Sequence, residues 1–235
     1  MRKALFVLSF LFLLSCQQQT SSDEDFITHY EKSGKTETPE YGEVIAYYQK
    51  LADTYSEISL FEMGITDSGN PLHLVVFNAD GKIKRNDIKS SSKNRMLINN
   101  GIHPGESDGI DATMMMMRDI AQSDSLKNLY KNTLINVIPV YNIGGALNRN
   151  SHTRANQNGP KEYGFRGNAQ NYDLNRDFVF GVHPETQGRV KALNEWYPQL
   201  MIDGHEMGAD DTYLFGPPRE PINKNIAKLL VFNIA

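Results

Sequence analysis

Met96-Leu97-Ile98-Asn99-Asn100-Gly101-Ile102-His103-Pro104-Gly105-Glu106 carries an apolar run straight into a histidine and a carboxylate three residues apart. The run has the length of a buried strand, and Pro104-Gly105 is strong turn punctuation. A second stretch, Leu200-Met201-Ile202-Asp203-Gly204-His205, repeats the pattern with another histidine at the end of another apolar run. Polar side chains therefore stand where strands end, the usual place for sites on open α/β sheets. His103, Glu106 and His205 together form a donor set that catalytic zinc uses, three protein groups with a fourth position left open. Asp203, two residues before His205, projects to the same face of its strand. It suits a carboxylate that fixes a metal-bound imidazole from behind. Glu206 alternates to the opposite face and is not expected to be a ligand. The rival reading takes each of these residues as an ordinary polar group in a loop after a strand.

Working outward, apolar positions at helical spacing (Val44, Ile45, Tyr48, Leu51, Ala52) predict a helix over Pro39 to Tyr55. Ile58 to Met63 and Leu72 to Phe77, on either side of Asp67-Ser68-Gly69-Asn70-Pro71, predict a hairpin. A helix over Asp108 to Gln122, a strand over Thr133 to Tyr141, a helix over Pro184 to Trp196 and a helical pattern over Lys224 to Ala235 follow. Strands alternating with helices after an opening hairpin imply an α/β sandwich with a mixed sheet. Between Asn148 and Tyr172 the chain is polar, rich in glycine and asparagine, and without periodicity. A connection of that length is usually functional.

The 235 residues, 40% hydrophobic and 22% charged, suit one globular domain. A net charge of -4, with both signs mixed along the chain, gives no basic stripe for nucleic acid. Arg2 and Lys3 precede the apolar run Ala4 to Leu14, too short to span a membrane with ease, so residues 1–15 read as a secretory signal. Leu13-Leu14-Ser15-Cys16 resembles a bacterial lipobox, with Cys16 as the lipidated mature N-terminus. That predicts an exported protein anchored by lipid in a bacterial cell envelope. Residues 16–38 read as a flexible polar tether and residues 39–235 as the folded domain. Cys16 is the only cysteine, which rules out an intramolecular disulfide.

His29 falls in the expected tether, His73 within a strand, and His183 before a proline. His152, in the long polar loop, reads equally as a surface residue or as part of a substrate groove. That loop closes with Asp173-Leu174-Asn175-Arg176-Asp177-Phe178. Asn175 and Arg176 form a pair able to clamp a carboxylate, because the planar guanidinium recognises that group with two bonds.

Taken in order, these blocks resemble the zinc carboxypeptidases, the carboxypeptidase A/B-like enzymes with their bacterial branch. The blocks are Gly101 to Glu106, Val137 to Gly145, Arg166-Gly167-Asn168-Ala169 through Phe178, and Ile202 to His205. The resemblance implies a three-layer sandwich with a mixed, mostly parallel central sheet. It implies one zinc ion on His103, Glu106 and His205, and a carboxylate clamp at Asn175 and Arg176. Arg166 takes the place of the oxyanion arginine, with Arg154 as a competing match. The implied activity is hydrolysis of the last peptide bond of a substrate with a free C-terminal carboxylate. Departures are also plain. Asn142-Ile143-Gly144-Gly145 lacks the family's Pro-Asp, and the loop after Asn148 is longer than usual. The family's general-base glutamate lies well beyond the second histidine, and neither Glu206 nor Glu220 stands in a matching context. The expectation is a domain incomplete at its C-terminal end. Two rival functions stay open: a zinc deacylase of small N-acyl amino acids, and a catalytically dead peptide-binding lipoprotein.

Overall fold

The computed structural model describes residues 26–88, 90–155 and 157–206. The signal segment, Cys16, and the helix expected over Lys224 to Ala235 lie outside the described residues. In chain order the elements are α1 (His29–Lys32), α2 (Tyr41–Thr54), β1 (Ile58–Ile65), β2 (Pro71–Phe77), β3 (Asn94–Asn99), α3 (Asp108–Gln122), α4 (Asp124–Leu129), β4 (Thr133–Ile138), α5 (Ile143–Leu147), α6 (Pro184–Trp196) and β5 (Leu200–Asp203). Short 3-10 turns lie at Arg85–Asp87 and Leu174–Arg176.

The strands form one sheet in the order β1-β2-β4-β3-β5. β2 pairs antiparallel with β1 and with β4, while β3 pairs parallel with β4 and with β5. All strands but β2 therefore run the same way, the mixed and mostly parallel sheet the sequence implied. Side-chain alternation along the strands builds a core on each face. Val75, Phe77, Ile98, Ile135 and Val137 pack with Val44, Tyr48 and Leu51 of α2 and Ile110, Met114 and Met117 of α3. Leu74, Val76 and Leu97 face the other way, towards Ala192 and Trp196 of α6. Trp196 stacks on Phe61 of β1 with ring centroids 5.2 Å apart. The result is three layers, α2 and α3, the sheet, and α6.

α3 and α6 fall on the residues their periodicity predicts, and β3 and β4 end three residues before the apolar runs do. Three differences have clear causes. The flexible tether expected over 16–38 does not reach 38. Phe26 is 1% exposed, its ring against Tyr47 and Tyr55, and α1 is closed by a capping box between Thr28 and Glu31. Asn142 to Gly145 is not simply the end of a strand. The Asn142 side chain accepts the Gly145 N–H at 2.8 Å and caps the short helix α5. α4, unforeseen because it is only two turns long, starts at the Ser123 side-chain cap.

Candidate metal centre

β3 and β5 are neighbours in parallel register, with Asn99 opposite Asp203. The Asn99 amide donates to Asp203 Oδ1 at 2.7 Å, and Gly204 N–H donates to the Asn99 carbonyl at 2.8 Å. Both strands therefore end at the same level, and both histidines rise from that edge. After β3 the chain turns at Gly101, whose φ of 66° is left-handed. The Glu106 N–H then donates to the His103 carbonyl at 2.8 Å across Pro104-Gly105. That tight turn brings the two side chains of the His-x-x-Glu block together.

His103 Nδ1 lies 2.9 Å from Glu106 Oε1, and His205 Nδ1 lies 2.9 Å from Glu106 Oε2. Ligand atoms of all three residues fall within 4.8 Å of one another. Each imidazole is backed by a carboxylate on its far nitrogen. His103 Nε2 is 3.1 Å from Asp173 Oδ1, and His205 Nε2 is 3.1 Å from Asp203 Oδ2. A carboxylate can only accept, so each backing Asp holds a proton on Nε2 and leaves the Nδ1 lone pair facing Glu106. A lone pair aimed at a carboxylate oxygen is stable only with a cation or a proton between them. This donor chemistry fits a divalent metal, and the carboxylate-backed histidine is the usual way to orient such ligands. His103 is 2% exposed and Glu106 6%. With a proton rather than a metal ion between Nδ1 and the carboxylate, burial raises the Glu106 carboxyl, but the hydrogen bond and charge of His103, then the hydrogen bond of His205, bring it down to about 2. It is therefore ionised across the working pH range.

Two arginines border the triad. Arg166 Nε donates to Asp173 Oδ2 at 3.0 Å, and its Nη1 lies 3.3 Å from His103 Nδ1. Arg154 reaches the glutamate instead, with Nη1 and Nη2 at 3.3 and 3.4 Å from Glu106 Oε1. Asn175 and Arg176 sit on the 3-10 turn that begins at Asp173, whose Oδ1 accepts the Asn175 N–H at 2.9 Å. A cavity of about 380 Å3 opens beside them, lined by Tyr172, Asp173, Arg176, Asp177, Phe180, Val182 and His183. Glu206 lies beyond the end of β5, and its Oε1 accepts the Asp108 N–H at the start of α3 at 3.0 Å.

The remaining histidines stay apart from the centre. His29 pairs with Glu43 at 3.4 Å, and His73 meets the Tyr41 hydroxyl at 3.3 Å. His183 precedes α6 without a side-chain cap bond, and its ring is tilted against that of Tyr172. His152 is exposed and its backbone bonds Asn150 in the long loop, which favours its surface reading. Two contacts escaped the sequence. Asp173 was visible only as part of the Asn-Arg block, though it stands two residues before Asn175 much as Asp203 stands two before His205. The bond from Arg154 to Glu106 joins residues 48 positions apart and carries no local signal.

A three-layer α/β fold with two carboxylate-backed histidines and a glutamate at the ends of adjacent parallel strands presents a group of side chains that could hold one metal ion. The chain belongs to the zinc carboxypeptidase family, whose sequence profile matches residues 44–222. It is similar in fold to a protein provisionally assigned as carboxypeptidase A from Shewanella denitrificans, at 20% identity and a TM-score of 0.58, covering 73% of this chain and 41% of that one. A metallo-carboxypeptidase from Burkholderia cenocepacia matches at 19% identity and a TM-score of 0.52, over 68% of this chain and 39% of that one. The carboxypeptidase A of Helicoverpa armigera matches at 19% identity and a TM-score of 0.52, over 72% and 46%. The chain thus spans less than half the length of these solved relatives. A search of curated proteins gives no match.

Proposed function

We propose that the protein is a zinc metallocarboxypeptidase that removes the C-terminal residue of peptides. The observation that carries this reading is the convergence of His103 Nδ1, His205 Nδ1 and the Glu106 carboxylate, with Asp173 and Asp203 behind the imidazoles. Zinc held there supplies a Lewis acid that polarises a scissile carbonyl and acidifies water. The other steps fall to the chain's own residues. Asp173 and Asp203 keep the Nε2 protons in place, so both imidazoles present lone pairs inward. Arg166, beside His103, offers a guanidinium to the carbonyl oxygen as negative charge develops there, a contribution on the order of 3 kcal/mol for one donor. Arg154 is engaged with Glu106, which favours Arg166 for that role. Asn175 and Arg176 bind the free carboxylate of the peptide and restrict cleavage to its last bond. The apolar walls of the neighbouring cavity, Phe180 and Val182, favour an apolar side chain beside that carboxylate.

The lipobox-like Leu13-Leu14-Ser15-Cys16 supports export and a lipid anchor at Cys16, with the domain held at a bacterial envelope surface. Intact-mass analysis of the protein from membranes checks this, because an unmodified Cys16 removes the anchor.

The function is tested by metal content and by peptide chemistry together. The purified protein should take up about one zinc per chain, and His103→Ala or His205→Ala should abolish that uptake. A peptide ending in a free carboxylate should bind more tightly than its C-terminal amide and be the one processed. Full zinc content in both alanine variants sinks the metal site, and equal affinity for acid and amide removes Asn175 and Arg176 from their role.

A further inference from the structure

The long polar loop after α5 does more than border the centre; it closes onto the ligand turn through the side chains of Arg154 and Gln157. Arg154 lies across Gly105, where an added Cβ would come 2.5 Å from Arg154 Cδ and 2.8 Å from the Gly164 carbonyl oxygen. Only a residue without a side chain fits beneath it. The guanidinium is held at both ends. Its Nη1 and Nη2 reach Glu106 Oε1 at 3.3 and 3.4 Å, while its Nε donates to Gln157 Oε1. Gln157 in turn donates through Nε2 to the Gly105 carbonyl at 2.9 Å. The Arg154 backbone N–H bonds the hydroxyl of Tyr163 at 3.1 Å, and Tyr163 is 3% exposed and bridges Asn150. Arg154 is thus fixed to its own loop and to the His-Pro-Gly-Glu turn at once.

Each oxygen of Glu106 then has two partners. Oε1 meets His103 and Arg154, and Oε2 meets His205 and the Glu206 N–H. Without Arg154 one oxygen would lose its only partner outside the triad and the backbone, and the carboxylate would be freer to rotate. We propose that Arg154 is a positioning residue that orients Glu106 for the divalent metal, so that metal affinity depends on the long loop. This rests on the reading of His103, Glu106 and His205 as the metal site.

Two effects oppose each other, and their signs separate the proposal from plain electrostatics. A guanidinium near a metal repels it, so loss of its charge alone would tighten binding. Loss of a positioning partner loosens binding, typically 10- to 100-fold for groups that orient metal ligands. The negative Glu106 carboxylate, which the guanidinium contacts directly, offsets that repulsion, so positioning prevails. Arg154→Lys keeps the charge but not the planar fork, and should recover only part of the affinity.

The experiment measures zinc affinity of the full chain by chelator competition, and the visible absorption of its cobalt(II) form. Arg154→Ala should bind zinc about 10- to 100-fold more weakly and shift the cobalt bands, with Arg154→Lys and Gln157→Ala in between. Unchanged or tighter zinc binding by Arg154→Ala, at wild-type thermal stability, overturns the proposal. Should Arg154→Ala fail to fold, wild-type affinity in both Arg154→Lys and Gln157→Ala overturns it equally. A wild-type chain that takes up no zinc removes the underlying site; zinc uptake that ignores Arg154 removes this inference alone.

Discussion

Removing the two carboxylates behind the histidines should not cost the same, although both sit 3.1 Å from an Nε2. His103 is 2% exposed, whereas the His205 side chain is 34% exposed. In Asp173→Ala the Nε2–H of His103 is left buried without an acceptor, which costs about 1–3 kcal/mol. In Asp203→Ala water can reach the His205 ring and replace the lost acceptor. Asp173 also accepts the Asn175 N–H and the Arg166 Nε, so its removal loosens the 3-10 turn as well. Loss of a group that orients a metal ligand typically weakens binding 10- to 100-fold, about 1.4–2.7 kcal/mol. Asp173→Ala is expected near the upper end of that range and Asp203→Ala near the lower. Chelator competition at fixed pH and ionic strength reads both constants. Equal zinc affinity in wild type and Asp173→Ala would show that the imidazoles do not depend on these partners. A larger loss in Asp203→Ala would refute burial as the factor that ranks the two.

Asp111 on α3 offers a test of pH dependence. Burial raises its carboxyl, Asp108 and Glu206 push the same way, and the Thr38 hydroxyl and Arg149 oppose them, leaving it at about 7. The folded protein therefore holds a proton that the unfolded chain has released, so the associated stability is present below about pH 4 and is lost as pH rises to 7. Against the ordinary 3.8, that is about 4 kcal/mol at 1.36 kcal/mol per pH unit. Asp111→Asn should match wild type near pH 4 and melt progressively higher than it towards pH 8. A constant gap across that window would contradict the buried-acid account. Gly144→Ala would place a Cβ 2.8 Å from Ala169 Cβ and closer still to its backbone nitrogen. It should cost about 1–3 kcal/mol in urea unfolding, and an unshifted midpoint would mean that the 165–169 segment is not seated on α5. Phe26→Ala should cost about 3–5 kcal/mol; a loss under 1 kcal/mol would return residues 26–38 to a loose tether.

What could be read from the sequence follows the range of each interaction. β3 announces itself because a parallel strand buried on both faces reads as a continuous apolar run, and β5 carries the same apolar pattern although Leu200 and Ile202 are exposed on it. Asp203 was legible because the two-residue period of a strand places it on a known side, two positions from His205. The capping box of α1 was also present in Thr28-x-x-Glu31, but the polar composition around it outweighed the signal. Asp173 and Arg154 were not legible as partners of the triad. They meet His103 and Glu106 across 70 and 48 residues, through a loop without periodicity, and nothing local fixes such a meeting.

The same division separates what makes the site from what tunes it. The distance between His103 and His205 is a property of the sheet, set by the backbone register that puts Asn99 of β3 opposite Asp203 of β5. A slip of one residue would turn Asp203 to the opposite face and carry His205 with it. A break in the backbone pairing of β3 with β5 should therefore remove metal binding outright. Asp173, Arg166 and Arg154 arrive on loop segments that touch the ligands only at their outer atoms. Substitutions there should leave a site that still binds, with altered affinity. Asn99→Pro, which interrupts the backbone pairing, set against Arg154→Ala reads the two behaviours directly, by metal stoichiometry in the first and by dissociation constant in the second. Full stoichiometry in Asn99→Pro would mean that the loops, and not the strand register, hold the ligands together.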